Sequence, residues 1–451
     1  MISAIQWIPK GAAQRVPLRY EIAHEELVAM ENLKEAEDPI EDDSMRDGSD
    51  GDDLEDGGEH NAAVADMNDE EFEAALALYC DDDDDAGAVD VTERLLSSAS
   101  VYDDGMEEMD AGNLDDLSDR EDYELNDTDA VLVIGRTEDE DSNIEVHVYD
   151  SNTGSLYVHH DFAIPSFPLA LQWMNINPKD SSAAGSFLAV GTFAPDIEIW
   201  NLDVIDVLEP VCRLGGVRSS SGHKVRLHKD SHMDAVMSLS WIASGRDRLA
   251  SGSADCTVKL WDLPTQRCTS TLSHHKDKVQ SVSWNPTEPV VLLSGSYDRS
   301  CVIVDTRTAK QSISVKTDAD VEVLEWNPAN AAVFAVSTES GRVTLVDVRK
   351  ASDPLATWQA HEEACSALSF CQGVDLLATG SADKSVRVWD LNNIPNPTVL
   401  CERNLKVGAV LTLKCSRDDP TMLAAGGTEG VLALWDISEN DDVARLLSTR
   451  S

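Results

Sequence analysis

Seven short alternating runs, each ending in Trp-Asp or a degenerate copy of it, recur along this chain at a nearly fixed interval. They close at Tyr149-Asp150, Trp200-Asn201, Trp261-Asp262, Val304-Asp305, Val346-Asp347, Trp389-Asp390 and Trp435-Asp436. From the third onward the steps are 43, 42, 43 and 46 residues, the length of one four-stranded propeller blade. A second landmark is an alternating strand with an aromatic or small residue at Trp173, Trp241, Trp284, Trp326, Phe370 and Cys415. It precedes the Trp-Asp position by 27, 20, 20, 20, 19 and 20 residues. Two landmarks in phase over six units specify a repeat.

Alternation such as Val258, Leu260, Asp262 sends successive side chains to opposite faces of a strand. A blade that is apolar on both faces cannot bury them alone, so neighbours must stack around a ring. The sequence therefore predicts an all-β, seven-bladed WD40 β-propeller. The first unit has no inner strand ahead of Ala130, but IQWIP at Ile5–Pro9 has the form of VSWNP at Val282–Pro286. Residues 2–8 are expected to be the inner strand of blade 1, the chain returning at AVLVIG after a long insertion. Closure entropy grows only slowly with loop length, so such an excursion is tolerated. The alternative is that residues 2–8 close the last blade as its outer strand, a place VARLL (Val443–Leu447) could also fill. The organisation expected is residues 1–20 completing blade 1, residues 21–129 as an acidic insert, and residues 130–451 as the propeller body.

The formal net charge is −49, and most of it sits in that insert. Between Glu21 and Asp129 there are 42 acidic residues against Lys34, Arg46, Arg94 and Arg120, a local balance of −38. Such a field repels nucleic-acid backbone and attracts basic proteins, histones among them. Low hydrophobicity and high charge predict disorder over much of it, Asp38–Glu59 in particular. Two stretches carry apolar residues at helical spacing, Phe72, Leu76 and Tyr79, then Leu95, Leu96 and Tyr102, and are candidate partner-binding helices. Ser44, Ser49 and Ser118 each precede an acid by three residues and suit an acid-directed kinase. The run Asp81–Asp85 lacks the ligand spacing of a calcium loop. Nine cysteines, with no CxxC pair, point to a reducing compartment and against a disulfide framework. No apolar stretch is long enough to span a bilayer, and no secretory leader is recognisable.

Three blades contain residue types that could suggest a hydrolase triad: His232, Ser251, Asp255; His275, Ser294, Asp298; and His361, Thr379, Asp383. Because the pattern recurs with Trp261 and Trp389 in register, it reads as a hydrogen-bond network from turn Asp to His to strand hydroxyl to indole. Phosphate-loop, HExxH, nucleophile-elbow and dinucleotide signatures are absent. No catalytic residue, metal or cofactor is expected. One stretch breaks the acidic trend: Val211–Lys229 carries Arg213, Arg218, Lys224, Arg226 and Lys229 without an acid. It reads as an elaborated connection that contacts either RNA phosphates or an acidic protein surface. Lys10, Arg15 and Arg19 would extend a basic surface if they lie nearby.

The opening MISAIQWIPKG, the acidic insertion behind it, and the VSWNP and LEWNP strands in phase with Trp-Asp motifs together resemble the periodic tryptophan protein 1 family. The resemblance covers essentially the whole chain. It implies a nucleolar scaffold in assembly of the large ribosomal subunit and pre-rRNA processing. The implied partners are assembly factors, ribosomal proteins and pre-rRNA, with the chain acting as a monomer inside a large complex. It lacks a long Lys-rich C-terminal tail, so nucleolar retention is expected to come from partners. Two other readings remain. One is a chromatin or histone-binding scaffold linked to ribosomal gene transcription. The other is a cullin-ligase substrate receptor, which Val304-Asp305-Thr306-Arg307 and Val346-Asp347-Val348-Arg349 approximate without the usual Trp.

Overall fold

The structure is a computed structural model and describes residues 1–19, 123–139, 141–180, 183–219, 225–245, 247–308 and 310–448. Seven antiparallel sheets of three or more strands are found among them, six of four strands and one of three. Their inner strands are Ile2–Ile8, Pro168–Met174, Val236–Trp241, Val279–Trp284, Val321–Trp326, Ala367–Cys371 and Val410–Cys415. Each touches the next, and the last touches the first, so the ring is closed. It is a seven-bladed β-propeller.

Blade 1 is built from Ile2–Ile8, Ala130–Glu138, Asp141–Asp150 and Ser155–Ile164 in that order. Gln6 faces Val133 and Trp7 faces Leu132 across the antiparallel ladder, so the N-terminal strand is the inner strand of the first blade. Ile2, Ile5, Trp7 and Ile8 are all buried.

Trp7 stands toward blade 7 as Trp326 stands toward blade 4. The Trp326 indole N–H donates to the Ser283 carbonyl at 3.1 Å, and the Trp7 indole N–H donates to the Lys414 carbonyl at 3.0 Å. Ser283 and Lys414 are the penultimate residues of their inner strands. A glycine on the second strand marks the same interface. A Cβ on Gly295 would meet Val321 and Leu324, and one on Gly426 would meet Ile2 and Ile5, in every case within 3.3 Å. The N-terminal strand thus packs on blade 7 as each blade packs on the one before it.

Among the described residues the last blade has three strands, Val410–Cys415, Met422–Gly427 and Ala433–Asp436. VARLL, considered above for its outer strand, is instead part of a helix, Asp441–Ser448. Asn440 explains the switch: its Oδ1 accepts from the N–H groups of Asp442 and Val443, as an N-cap does. Asp441 and Asp442 in the first turn suit the positive end of the helix dipole. Val443 is buried, with Leu446 and Leu447 packed half-buried on the core between blades 6 and 7.

Tyr123–Asp129 already belongs to the folded body. Leu125 N–H donates to the Arg15 carbonyl, and the Leu125 side chain packs on the core between blades 1 and 2. Leu18–Arg19 adds a short parallel pairing with Val204–Ile205.

Candidate functional site

The residues resembling triads come together within their own blades. In blade 3 Trp261 Nε1 lies 2.8 Å from Ser251 Oγ, which lies 2.6 Å from His232 Nε2, while His232 Nδ1 lies 2.8 Å from Asp255 Oδ2. The ends fix the direction of donation. An indole can only donate and an ionised carboxylate can only accept, so Nδ1 carries the imidazole proton and Nε2 accepts from the serine. Burial lowers the His232 pKa and keeps the ring neutral. Burial opposes ionisation of Asp255 as well, but hydrogen bonds from His232, Thr257 and the Met233 N–H hold its carboxyl well below the usual range.

Blade 6 repeats the arrangement: Trp389 to Thr379 at 2.9 Å, Thr379 to His361 at 2.8 Å, His361 to Asp383 at 3.0 Å. Blade 4 departs from it, because Val304 supplies no indole. His275 still joins Ser294 and Asp298, at 2.8 and 3.0 Å. The donor to Ser294 is the neighbouring His274, whose Nε2 lies 2.9 Å away. Burial first, and the adjacent His275 second, push the His274 pKa down to about 4, so this ring too is neutral. His274 was not singled out in the sequence, where His275 is the one that keeps the 19- and 23-residue offsets to Ser294 and Asp298 that His232 keeps to Ser251 and Asp255.

Ser251, Ser294 and Thr379 are fully buried, and each hydroxyl is engaged on both sides. None can reach a substrate, and the ladders lock blades. Among the described residues no three His, Cys, Asp or Glu side chains are grouped to hold a metal ion.

The basic stretch does not form one free surface. Cys212–Leu214 is the outer strand of blade 2, so this part of the supposed connection is blade. Arg213 pairs with Glu198 at 3.1 Å and lies 4.0 Å from Asp196. The sequence missed this because a three-residue outer strand leaves almost no alternation to read. Val217–Ser219 and Val225–Leu227 form a hairpin with Arg218 and Arg226 as register partners. Lys229 is exposed, and Lys224 lies outside the described residues. Arg15 pairs with Glu124 at 2.7 Å and Arg19 with Asp206 at 3.0 Å, so neither extends a free cationic face. Phe72, Leu76, Tyr79, Leu95, Leu96, Tyr102, Ser44, Ser49 and Ser118 also lie outside the described residues. Arg307 and Arg349 fold back onto Asp305 and Asp347, at 2.8 and 2.6 Å.

A cluster not singled out in the sequence sits on blade 5. Burial, then the charges of Glu339 and Asp320, push the Glu322 carboxyl up to about 7. Tyr297 nearby is pushed up to about 12 by burial together with Glu322, Asp320, Glu339 and Asp277. A carboxyl raised on folding stabilises fully below its unfolded pKa of about 4.3 and loses that contribution as pH rises through its folded value. Glu322→Gln is therefore expected to stabilise the ring at pH 8 by about 1 kcal/mol after allowance for solvent screening, and to leave it little changed at pH 4.5. Paired thermal melts at the two pH values check this, and equal effects at both would contradict it.

Three stretches, residues 222–262, 266–305 and 352–390, match the WD domain, G-beta repeat family. They are the parts of blades 3, 4 and 6 that hold the histidine ladders. A solved chain of a mitotic checkpoint complex is similar in fold, with a TM-score of 0.51 and 19% identity over 68% of this chain and 83% of that one. An uncharacterised WD repeat-containing protein of Schizosaccharomyces pombe is 35% identical over 100% of this chain and 91% of its own length. The periodic tryptophan protein 1 homolog of Drosophila melanogaster is 30% identical over 94% of this chain and 91% of its own. The first of these two relatives is matched along the whole of this chain. The chain belongs to the periodic tryptophan protein 1 family of WD-repeat proteins.

Proposed function

We propose that this protein is a non-enzymatic nucleolar scaffold in assembly of the large ribosomal subunit and pre-rRNA processing. The observation that carries the reading is kinship along the whole chain with a family whose resemblance implies that work. The buried, doubly engaged hydroxyls of Ser251, Ser294 and Thr379 support it, since they leave the propeller's triad-like residues to hold blades together. Its partners are assembly factors, ribosomal proteins and pre-rRNA. The strongly negative balance of Glu21–Asp129 favours basic partners, histones being the second candidate.

Affinity purification of the tagged full chain, with and without RNase, tests the reading. The expected result is enrichment of large-subunit precursors with their rRNA; enrichment of histones alone, or of a cullin and its adaptor, would replace it. For the basic hairpin, charge reversal of Arg218, Lys224, Arg226 and Lys229 to Glu is expected to reduce co-sedimentation with precursor particles about tenfold, with folding intact. Loss of the same association on RNase treatment assigns the contact to RNA, and RNase resistance assigns it to an acidic protein. Unchanged co-sedimentation of the variant would remove the hairpin from the interface.

A further inference from the structure

Among the described residues, six blades cover their third strand with a fourth, and the seventh does not. In blades 1 to 6 the residue just before the Trp-Asp position is Val148, Ile199, Leu260, Ile303, Leu345 or Val388, and every one is buried. Each faces a partner on the outer strand: Tyr157, Cys212, Ser270, Ile313, Ala356 and Cys401 in turn. The equivalent in blade 7 is Leu434, which is only half-buried and has no such partner. Leu432, two residues earlier, is also half-buried where Val146, Ile197, Val258, Cys301, Val343 and Val386 are buried. Val431 is 48% exposed. The outer edge of Ala433–Asp436 therefore presents backbone N–H and C=O groups beside apolar side chains, a template for one more strand.

A groove of about 320 Å³ lies along this edge. Leu434, Trp435 and Met422 line it from blade 7, Tyr149 and Leu156 from blade 1. Of these, Leu156 is 36% exposed. Helix Asp441–Ser448, which follows blade 7, packs instead toward blade 6 and leaves the groove open. The charged lining comprises the carboxylates of Asp436 and Glu439 and the single cation Arg403, which lies 5.8 Å from the centre of the Trp435 ring. The lining is thus acidic on balance, which favours a basic occupant.

We propose that the open edge of blade 7 is a docking site for an extended segment of a basic partner protein. The segment pairs antiparallel with Ala433–Asp436, as all six resident outer strands pair. It sets alternate apolar side chains against Leu432 and Leu434 and places flanking Lys or Arg near Asp436 and Glu439. Charge decides the occupant: the segment Glu21–Asp129 of the same chain carries a balance of −38 and would meet carboxylates of its own sign. The proposal does not depend on which assembly the scaffold serves.

The test uses the full chain and a fluorescein-labelled peptide of alternating Val and Thr with Lys at both ends. Fluorescence anisotropy is expected to show binding at least about tenfold tighter than for two controls, the same peptide N-methylated on alternate amides and one flanked by Glu. Leu434→Lys and the more exposed Val431→Lys are each expected to weaken binding at least about tenfold while the melting curve stays cooperative. Equal affinity for the N-methylated control, or full binding to both Lys variants, would overturn the proposal. A photo-crosslinker at position 431 reports the occupant. Crosslinks to the peptide support the proposal. Crosslinks that remain within the chain, or that join two copies and exclude the peptide, would overturn it in favour of a resident segment or a second copy.

Discussion

Deletion of Met1–Pro9 is expected to abolish cooperative folding of the ring, although the segment lies far in sequence from the rest of its blade. Ile2, Ile5, Trp7 and Ile8 are 1%, 3%, 4% and 2% exposed. At about 2 kcal/mol or more per buried side chain, their removal forfeits on the order of 8–10 kcal/mol, comparable with the whole stability of a typical domain. Both interfaces of blade 1 are affected. Ile2, Ile5 and Trp7 pack with Met422 and Ala424 of blade 7, while Ala4 and Ile8 face the core shared with blade 2. Trp7→Ala alone is expected to cost about 3–5 kcal/mol and to leave a folded but less stable ring. Chemical denaturation of the point variant and far-ultraviolet circular dichroism of the deletion check these outcomes. A deletion that melts like the intact chain would show that another segment completes blade 1.

The second large effect is expected at His232. Its Nδ1–H compensates the buried Asp255 carboxylate and its Nε2 accepts from Ser251. His232→Ala leaves that carboxylate without its imidazole partner inside the blade, at an expected cost of about 3–5 kcal/mol. The pH dependence has a definite sign. Burial lowers the histidine's pKa, so the folded state holds it neutral while the unfolded chain binds a proton near pH 6.5. Stability conferred by the neutral ring is present above that pH and lost as pH falls below it. Denaturation midpoints of the intact chain should drop between about pH 7 and 5, and His232→Ala should flatten that slope. A catalytic serine would behave differently: a fluorophosphonate probe is expected to label neither Ser251 nor Ser294, and labelling that depends on His232 would contradict the structural assignment.

Strong, two-sided burial made much of the fold legible. Trp7 could be placed because IQWIP has the form of VSWNP, and the structure gives it the indole-to-carbonyl bond across the blade interface that Trp326 of the LEWNP strand makes. The ladders were legible because Asp, His, hydroxyl and Trp recur at fixed offsets. What could not be read was short or one-sided. Cys212–Leu214 is an outer strand of three residues, so the Arg213 that decorates it resembled part of a free loop. VARLL puts its apolar residues where both a strand and one helical face would accept them. The N-cap at Asn440, rather than the apolar pattern, decides in favour of the helix. The Glu322 cluster depends on residues that only the blade fold brings close. The open edge of blade 7 is visible only when Leu434 is compared with its six counterparts in three dimensions.

Native-state hydrogen exchange of Ile2–Ile8 in the full chain tests the central claim most directly. If these residues are the keystone strand of the first blade, their ladder amides should exchange only with global opening, at the rate of their partners in Ala130–Glu138. Exchange within seconds, while the other six inner strands stay protected, would mean that the ring closes without its N-terminus.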